Sequence, residues 1–514
     1  MGDNLKEECG ICGIYLKNPI KNSELISYNL DLMLNRMQRR GQTGSGISIF
    51  KIREGKYGKV LKTLKKPGLV SNLFGGENLD LRKKIIKENN GIAGIGHVRY
   101  GTSGNRGNTL DLLQPFLRRH GKKWKKFSIC FNGNLANYPE LEEELRKRDY
   151  DLETDVDTEV IMHLFSLGIK KFSDENNEVK PDFFDLSNFV MQQIDGAFNI
   201  LLLFGDGNLI AIRDSYGFKP LVWGENQDFY AIASESVALE RIGIRDIQVV
   251  PPGSVIIFNA NGVFLKQLFF NQKKAFCQFE AIYFSDSGSL FEGKSIYEIR
   301  RNLGKELAKA EPLKEFIKKN KKNYVVVPVP ETSNAAAEGF AEILGLSFRP
   351  LGLRKLDKTR GFINEYEKRE DIMNRIYDVI KEIFQDKEVF LIEDSIIRGE
   401  TLGKTINLIK NTNPKAIHVR VTEPKVCHPC FYGVDMSTYG EFIANVCDSL
   451  NLEEEIAKKI GADTFFYQKF EGLINSLGFD KNEICHACLT GDYPTEFGKK
   501  RAEEALKKFK DQKI

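Results

Sequence analysis

The sequence predicts two differently built halves in tandem, an α+β unit with hairpin-linked strands followed by an α/β unit with a parallel sheet. Two observations separate them. In the first half, the short apolar segments 198–204, 209–213 and 229–233 follow one another across turn residues, the pattern of sheet hairpins. In the second, the apolar strands 324–330, 388–392 and 417–421 alternate with helical segments of ten or more residues, the pattern of a parallel sheet with helical crossovers. The length of 514 residues supports roughly two to four domains.

Taken in order, Leu30, Met33, Leu34 and Met37 recur at helical spacing, and that helix should stop at Gly41. Strands are expected at 91–98 and 127–131, and the Pro251-Pro252-Gly253 turn with the strand after it closes the first half. In the second half, a helix at 335–344 should follow the first parallel strand and a helix at 399–410 the second. Beyond residue 450 the segments are short, charged and mostly helical, with Lys-rich 498–510 read as a solvated face. These boundaries give a leader at 1–8, a domain at 9–259, a second at 275–450 and a C-terminal helical segment at 451–514. No internal repeat or low-complexity tract interrupts them.

Composition excludes several function classes. With 75 basic and 71 acidic residues, the net charge of +4 gives no argument for a nucleic-acid or membrane partner. The basic clusters 118–126 and 318–322 read as solvated faces, and no apolar run approaches the ~20 residues of a membrane span. The leader Met1–Glu8 has no hydrophobic region, so a cytoplasmic location is expected. Nine cysteines in such a chain point to metal or reactive thiols before disulfides, and four of them form the Cys-x-x-Cys pairs 427/430 and 485/488.

Cys9 stands in the run Cys9-Gly10-Ile11-Cys12-Gly13-Ile14. Removal of residues 1–8 would make it N-terminal, and its own α-amine, with an ordinary pKa of about 8, would then be an adjacent base for the thiol. Arg99, in His97-Val98-Arg99-Tyr100-Gly101-Thr102, lies just after a strand, where its fork could pair with a carboxylate. Asn132-Gly133-Asn134 offers an amide side chain and a backbone N–H, the donor pair of an oxyanion hole; alternatively it is a plain turn. Asp157 could accept from an α-ammonium. With Gln38-Arg39-Arg40-Gly41-Gln42, this ordered set resembles the class II glutamine amidotransferases, the N-terminal-nucleophile glutaminases of four-layer α/β/β/α fold. The resemblance implies that Cys9 attacks the γ-amide of glutamine, with Asn132 and Gly133 on the oxyanion, Arg99 and Thr102 on the substrate carboxylate and Asp157 on its amine. Blocks 213–221 and 234–236 resemble later scaffold of that domain. One departure is local: Arg39 stands where many members have histidine.

In the second half, Phe390-Leu391-Ile392-Glu393-Asp394-Ser395-Ile396-Ile397-Arg398-Gly399-Glu400-Thr401 is a strand, an acidic pair and a helix N-terminus. Backbone N–H groups there can cradle a phosphate, while two carboxylates can hold a ribose diol or Mg2+. The block resembles the phosphoribosyl pyrophosphate (PRPP) motif of type I phosphoribosyltransferases, which implies PRPP contacts from Glu393, Asp394, Ser395, Arg398, Gly399 and Thr401, with Mg2+ on Glu393 and Asp394. The joined order resembles the amidophosphoribosyltransferases. That family passes ammonia internally to C1 of PRPP, giving 5-phosphoribosylamine, glutamate and pyrophosphate at the first step of purine synthesis. It implies a tetramer and purine nucleotide inhibitors as well. Blocks 327–332 and 429–435 carry the same resemblance.

Departures gather at the acceptor side. Glu400 replaces a phosphate-loop threonine, and a carboxylate about 4 Å from a phosphate charge would cost about 4 kcal/mol at an effective dielectric near 20, unless it turns to solvent. Glu393 replaces an aspartate, the 355–362 segment matches the family's mobile loop only loosely, and 285–289 lacks the usual Arg-Pro-Asp. They leave two alternatives: a paralogue that hydrolyses glutamine with altered or lost PRPP use, and a non-catalytic nucleotide or iron-sulfur sensor. For the cysteines, a structural Zn2+ on Cys427, Cys430, Cys485 and Cys488 suits the spacing. Resemblance to the iron-sulfur subgroup instead implies a [4Fe-4S] cluster on Cys277, Cys430, Cys485 and Cys488. Cys12, Cys130 and Cys447 are read as buried apolar residues.

Overall fold

The structure, a computed structural model, describes residues 9–18, 24–52, 59–100, 110–173, 179–270, 273–355, 377–436, 438–447 and 450–511. Its first half contains two antiparallel sheets. One has seven strands in the order Ile247–Val249, Val222–Glu225, Phe229–Ala233, Gly10–Leu16, Ala93–Arg99, Gly44–Phe50, Leu61–Pro67. The other has six, in the order Gly262–Gln267, Ser254–Asn259, Leu209–Arg213, Gly196–Phe204, Phe127–Leu135, Phe116–Arg118.

The apolar pattern explains the layering. Gly10–Leu16 and Gly196–Phe204 are buried along their whole length, because each is covered on both faces. Between the sheets, Ile11, Tyr15 and Ile95 meet Cys130, Leu201, Ala211 and Ile256. On the outer face of the first sheet, the helix Leu25–Arg36 buries Ile26, Leu30, Met33 and Leu34 at helical spacing. On the outer face of the second, Asp157–Phe172 and Phe183–Met191 do the same. The result is helix, sheet, sheet, helix.

Two local expectations change. The first helix ends at Arg36 and is followed by a 3-10 turn, Gln38–Arg40, before Gly41. A Cβ at position 41 would lie 2.5 Å from the carbonyl carbon of Arg99, so the chain passes a strand end too closely for any other residue. The second change concerns 132–134, which continue the strand Phe127–Leu135 and form no turn.

In the second half, a five-stranded parallel sheet runs Ser347–Phe348, Tyr324–Pro328, Glu388–Glu393, Ala416–Val421, Thr464–Tyr467. Helices Ile296–Lys309 and Asn334–Leu344 cover one face, and Glu400–Lys410 with Leu452–Ile460 cover the other. The fifth strand comes from beyond residue 450, so the expected boundary there cuts through this sheet. The Lys-rich tail also departs from a plain solvated face. It is the helix Glu496–Asp511, and its Arg501 and Lys500 both pair with Glu140 of the first half.

The halves are joined by buried polar contacts. Arg40 pairs with Glu235 (2.5 Å) and with Glu280 of the second half (2.6 Å), all three side chains being almost wholly buried. Glu235 in turn accepts from Asp286 N (2.8 Å) and Ser289 Oγ (2.7 Å). Arg213 pairs with Glu292 (2.6 Å), and Phe218 stacks on Tyr432 with ring centroids 4.3 Å apart.

Candidate active sites and the cavity they share

Cys9 immediately precedes the central strand Gly10–Leu16. That strand pairs with Ala93–Arg99 through Gly10 and Val98, so one further step in the register sets Cys9 beside Arg99. The Cys9 thiol is half-buried and lies 3.9 Å from the backbone carbonyl of Tyr100. Arg99 itself is 6 % exposed, and its carbonyl accepts from Thr43 N (3.0 Å) and Thr43 Oγ1 (2.9 Å).

The donor pair comes from the other sheet. Asn132 is 1 % exposed, and its amide donates to Ser234 Oγ (3.4 Å), which also accepts from Ile11 N (3.1 Å), two residues beyond the thiol. Gly133 faces Phe198 across the sheet, and a Cβ there would lie 2.0 Å from the Ala197 carbonyl oxygen; only glycine fits. Asp157 opens the helix Asp157–Phe172 and accepts from Leu135 N (3.3 Å). Loss of hydration raises its carboxyl to about 7, and the Leu135 N–H only partly offsets this. Thr102 lies outside the described residues.

On the acceptor side, Glu393 ends the strand Glu388–Glu393. Asp394 follows it, buried, its carboxylate accepting from the hydroxyls of Thr332 and Ser395. Burial raises its pKa, and those two hydroxyls pull it back. Gly399, at φ +83°, makes the turn into the helix Glu400–Lys410. Ser395 and Thr401 line a cavity with the acidic pair, whereas Arg398 turns away to Glu441 (2.7 Å). Glu400 is exposed and does not line that cavity. Of the expected mobile loop, Lys355 lines the cavity and 356–362 lie outside the described residues.

This cavity, of about 440 Å3, has walls from both halves: Arg39, Gln42, Thr43 and Tyr100 face Glu331, Thr332, Glu393 and Asp394. Cys9, Arg99, Asn132, Gly133 and Asp157 do not line this cavity; Tyr100, whose carbonyl lies 3.9 Å from the Cys9 thiol, links it to the first site. Local sequence offers no signal for Thr43, Tyr100, Tyr283 or Tyr377 as wall residues, because each arrives from a distant segment. Arg300, 1 % exposed, donates to Ala281 O (3.0 Å), Ser285 O (2.8 Å) and Ser287 Oγ (3.1 Å) and does not line the cavity.

The cysteine set is brought together by long-range pairing. Phe276–Cys277 and Ile484–Cys485 form a two-stranded parallel sheet that places Cys277 opposite Cys485. With Cys430 and Cys488, these two line one small cavity. Burial pushes the Cys485 thiol up to about 12 and Cys488 well above its ordinary value. Such thiols are poor nucleophiles, and ionise readily only beside a positive centre. Cys427 does not line this space; its thiol donates to Leu489 O (3.2 Å). Among the described residues, no group of three His, Cys, Asp or Glu side chains is placed to hold one metal ion. The donor set suits a cluster that spans four thiols better than a single Zn2+ on the Cys427 set. The acidic pair suits Mg2+ in the manner of sites where one or two carboxylates are completed by substrate phosphates. Cys12 and Cys130 are fully buried and Cys447 is half-buried.

Comparisons with known proteins agree with this geometry. Residues 111–241 match a family model described as a glutamine amidotransferase domain. The amidophosphoribosyltransferase of Methanocaldococcus jannaschii is 32% identical over 504 residues, covering 95% of this chain and 98% of that protein. Its Pyrococcus horikoshii counterpart is 34% identical over 494 residues, with 96% and 98% covered. Among solved structures, the glutamine PRPP amidotransferase of Bacillus subtilis, complexed with ADP and GMP, superposes with a TM-score of 0.78 at 30% identity, covering 95% of this chain and 98% of its own. A structure described as the allosteric regulatory enzyme of purine biosynthesis gives 0.80 at 29% identity, with 96% and 99% covered.

Proposed function

The chain belongs to the amidophosphoribosyltransferase family, and we propose that its two sites divide that family's reaction between Cys9 and the Glu393–Asp394 motif. It is a glutamine amidotransferase and glycosyltransferase of the first step of purine biosynthesis.

In the first site, removal of residues 1–8 frees the α-amine of Cys9 to take the thiol proton. The thiolate attacks the γ-amide carbon of glutamine, and the oxyanion formed is held by the Asn132 amide and the Gly133 N–H. Arg99 and Thr102 hold the substrate carboxylate, and Asp157 the ammonium. Burial raises the Asp157 carboxyl to about 7, and a neighbouring ammonium would favour its ionised form. Collapse of the oxyanion, with the α-ammonium returning its proton to the leaving nitrogen, expels ammonia and leaves a thioester at Cys9, which water hydrolyses to glutamate.

In the second site, ammonia attacks C1 of PRPP as pyrophosphate leaves. Glu393 and Asp394 hold the ribose diol and would also hold a Mg2+ ion, which when bound would supply positive charge that eases pyrophosphate departure. Ser395, Gly399 and Thr401 seat phosphate oxygens at the helix start. Arg398 is assigned to the same ligand and must leave Glu441 to reach it. The altered loop residue is no obstacle to this reading, because exposed Glu400 stands away from the cavity wall.

The observation that carries the reading is the 440 Å3 cavity lined jointly by Tyr100, at the thiol, and by the acidic pair. On this reading ammonia released beside Tyr100 would enter this cavity to reach the acidic pair. Cys277, Cys430, Cys485 and Cys488 would hold a [4Fe-4S] cluster, which when bound cross-links the C-terminal segment to the catalytic body. The domain division at 9–259 and 275–450 extends, on this reading, to include the sheet strand Thr464–Tyr467. A cytoplasmic tetramer regulated by purine nucleotides completes it; the ADP and GMP of the Bacillus subtilis structure support the nucleotide part. Assaying purified protein for glutamine- or ammonia-supported, PRPP-dependent pyrophosphate release tests it, and glutaminase activity indifferent to PRPP would refute it.

A further inference from the structure

We propose that Arg39, contributed by the glutamine-cleaving half, is a ligand for the diphosphate of PRPP in the shared cavity. The inference rests on the reading that this cavity takes PRPP. PRPP brings a phosphomonoester and a diphosphate, both anionic at neutral pH, into a cavity whose wall already carries the carboxylates of Glu331, Glu393 and Asp394. Among the described residues lining it, the cations are Arg39 and Lys355. Arg398, assigned to the same ligand, pairs with Glu441 at 2.7 Å and does not line the cavity, so Arg39 would act beside it from the opposite half. Arg300 lies behind the wall with Nε, Nη1 and Nη2 each donating to a protein oxygen. Arg39 is the guanidinium placed to answer the charge.

Its present partner is easily exchanged. Arg39 Nη1 stands 3.7 Å from Glu331 Oε2, with side chains 37% and 61% exposed. A pair this open to water contributes little, whereas a guanidinium fork on a phosphate forms two charge-assisted hydrogen bonds. The backbone beneath is fixed on both sides. Gln38 Oε1 accepts from Val70 N (2.7 Å), and the next residue, Arg40, is buried between Glu235 and Glu280. Arg39 is thus a long side chain on an anchored turn, at the mouth between the two halves.

The test is equilibrium binding by calorimetry, with Mg2+ present, to the full-length wild type and to Arg39→Ala and Arg39→Lys. The probes are PRPP, inorganic pyrophosphate and ribose 5-phosphate. Loss of a fork on phosphate should weaken PRPP and pyrophosphate about tenfold or more in Arg39→Ala while leaving ribose 5-phosphate within about twofold, and Arg39→Lys should fall between. A purely structural role would weaken ribose 5-phosphate equally, and that result overturns the proposal. So does Arg39→Ala binding PRPP as tightly as wild type. A wild type that binds PRPP yet releases no pyrophosphate with ammonia refutes the functional reading alone, since the binding comparison still decides the role of Arg39. A wild type that binds neither PRPP nor pyrophosphate overturns both.

Discussion

The proposed glutamine site and the proposed phosphoribosyl site are held in contrasting ways. At the first, Arg99 and Asn132 stand on buried strands of two different sheets, so their positions are set by backbone register over many residues. At the second, the expected ligands from Glu393 to Thr401 come from one strand end, the loop after it and the first turn of the helix Glu400–Lys410; Asp394 and Gly399 are buried, Glu393, Ser395, Arg398 and Thr401 are half-buried, and Glu400 beside them is exposed. The difference sets where a substitution can be absorbed. A sheet position such as Gly133, with a carbonyl 2.0 Å from any Cβ, has no freedom to change. A helix-start position such as 400 can carry a new charge by facing water.

Several substitutions would break or sharpen that contrast. The largest effect belongs to Cys9→Ser, which should lower glutamine-supported activity about a thousandfold or more while ammonia-supported pyrophosphate release stays within about twofold. Parallel loss of both activities, measured on the same preparation, would mean the sites are not separable. Next is Asp394→Asn, expected to lower PRPP turnover about a hundredfold with either nitrogen donor, because both routes need the acidic pair. Retained activity with ammonia would remove Asp394 from the mechanism.

A smaller, pH-dependent effect is expected at Asp157. Burial raises its carboxyl to about 7, so it is largely protonated at pH 6 and largely ionised at pH 8. Only the ionised form pairs with the glutamine ammonium, so kcat/KM for glutamine should rise about tenfold over that interval. Asp157→Asn should lower kcat/KM and flatten the rise; an unchanged profile would exclude Asp157 as its source. Smallest is Glu400→Thr, which restores the family's residue. Since the side chain is solvated, the KM for PRPP should change less than about twofold, and a tenfold drop would place Glu400 against the phosphate after all.

Much of the fold was legible because its signals are local. Uninterrupted apolar runs such as 200–204 and 389–392 identify buried strands, and helical spacing identifies Leu25–Arg36. The strand Thr464–Tyr467 escaped notice because four residues flanked by charged helices show no period of their own; its identity comes from pairing with Ala416–Val421. The C-terminal helix likewise reads as solvated until Glu140 supplies its partner. For the proposed sites, Cys9, Arg99, Asn132, Gly133, Asp157 and Asp394 are candidates that motif context alone supplies. The turn reading of 132–134 yields to a strand because Gly133 is needed for close approach and not for bending. Thr43, Tyr100 and Arg39 were not legible as walls of a phosphoribosyl cavity, since they come from the opposite half and meet it only in three dimensions.

The most direct test of two sites sharing one ammonia route is the simultaneous measurement of glutamate and pyrophosphate from purified enzyme given glutamine, PRPP and Mg2+. The shared cavity predicts equal amounts of the two products throughout the reaction, with glutamate formation dependent on PRPP. Glutamate accumulating without pyrophosphate would contradict it.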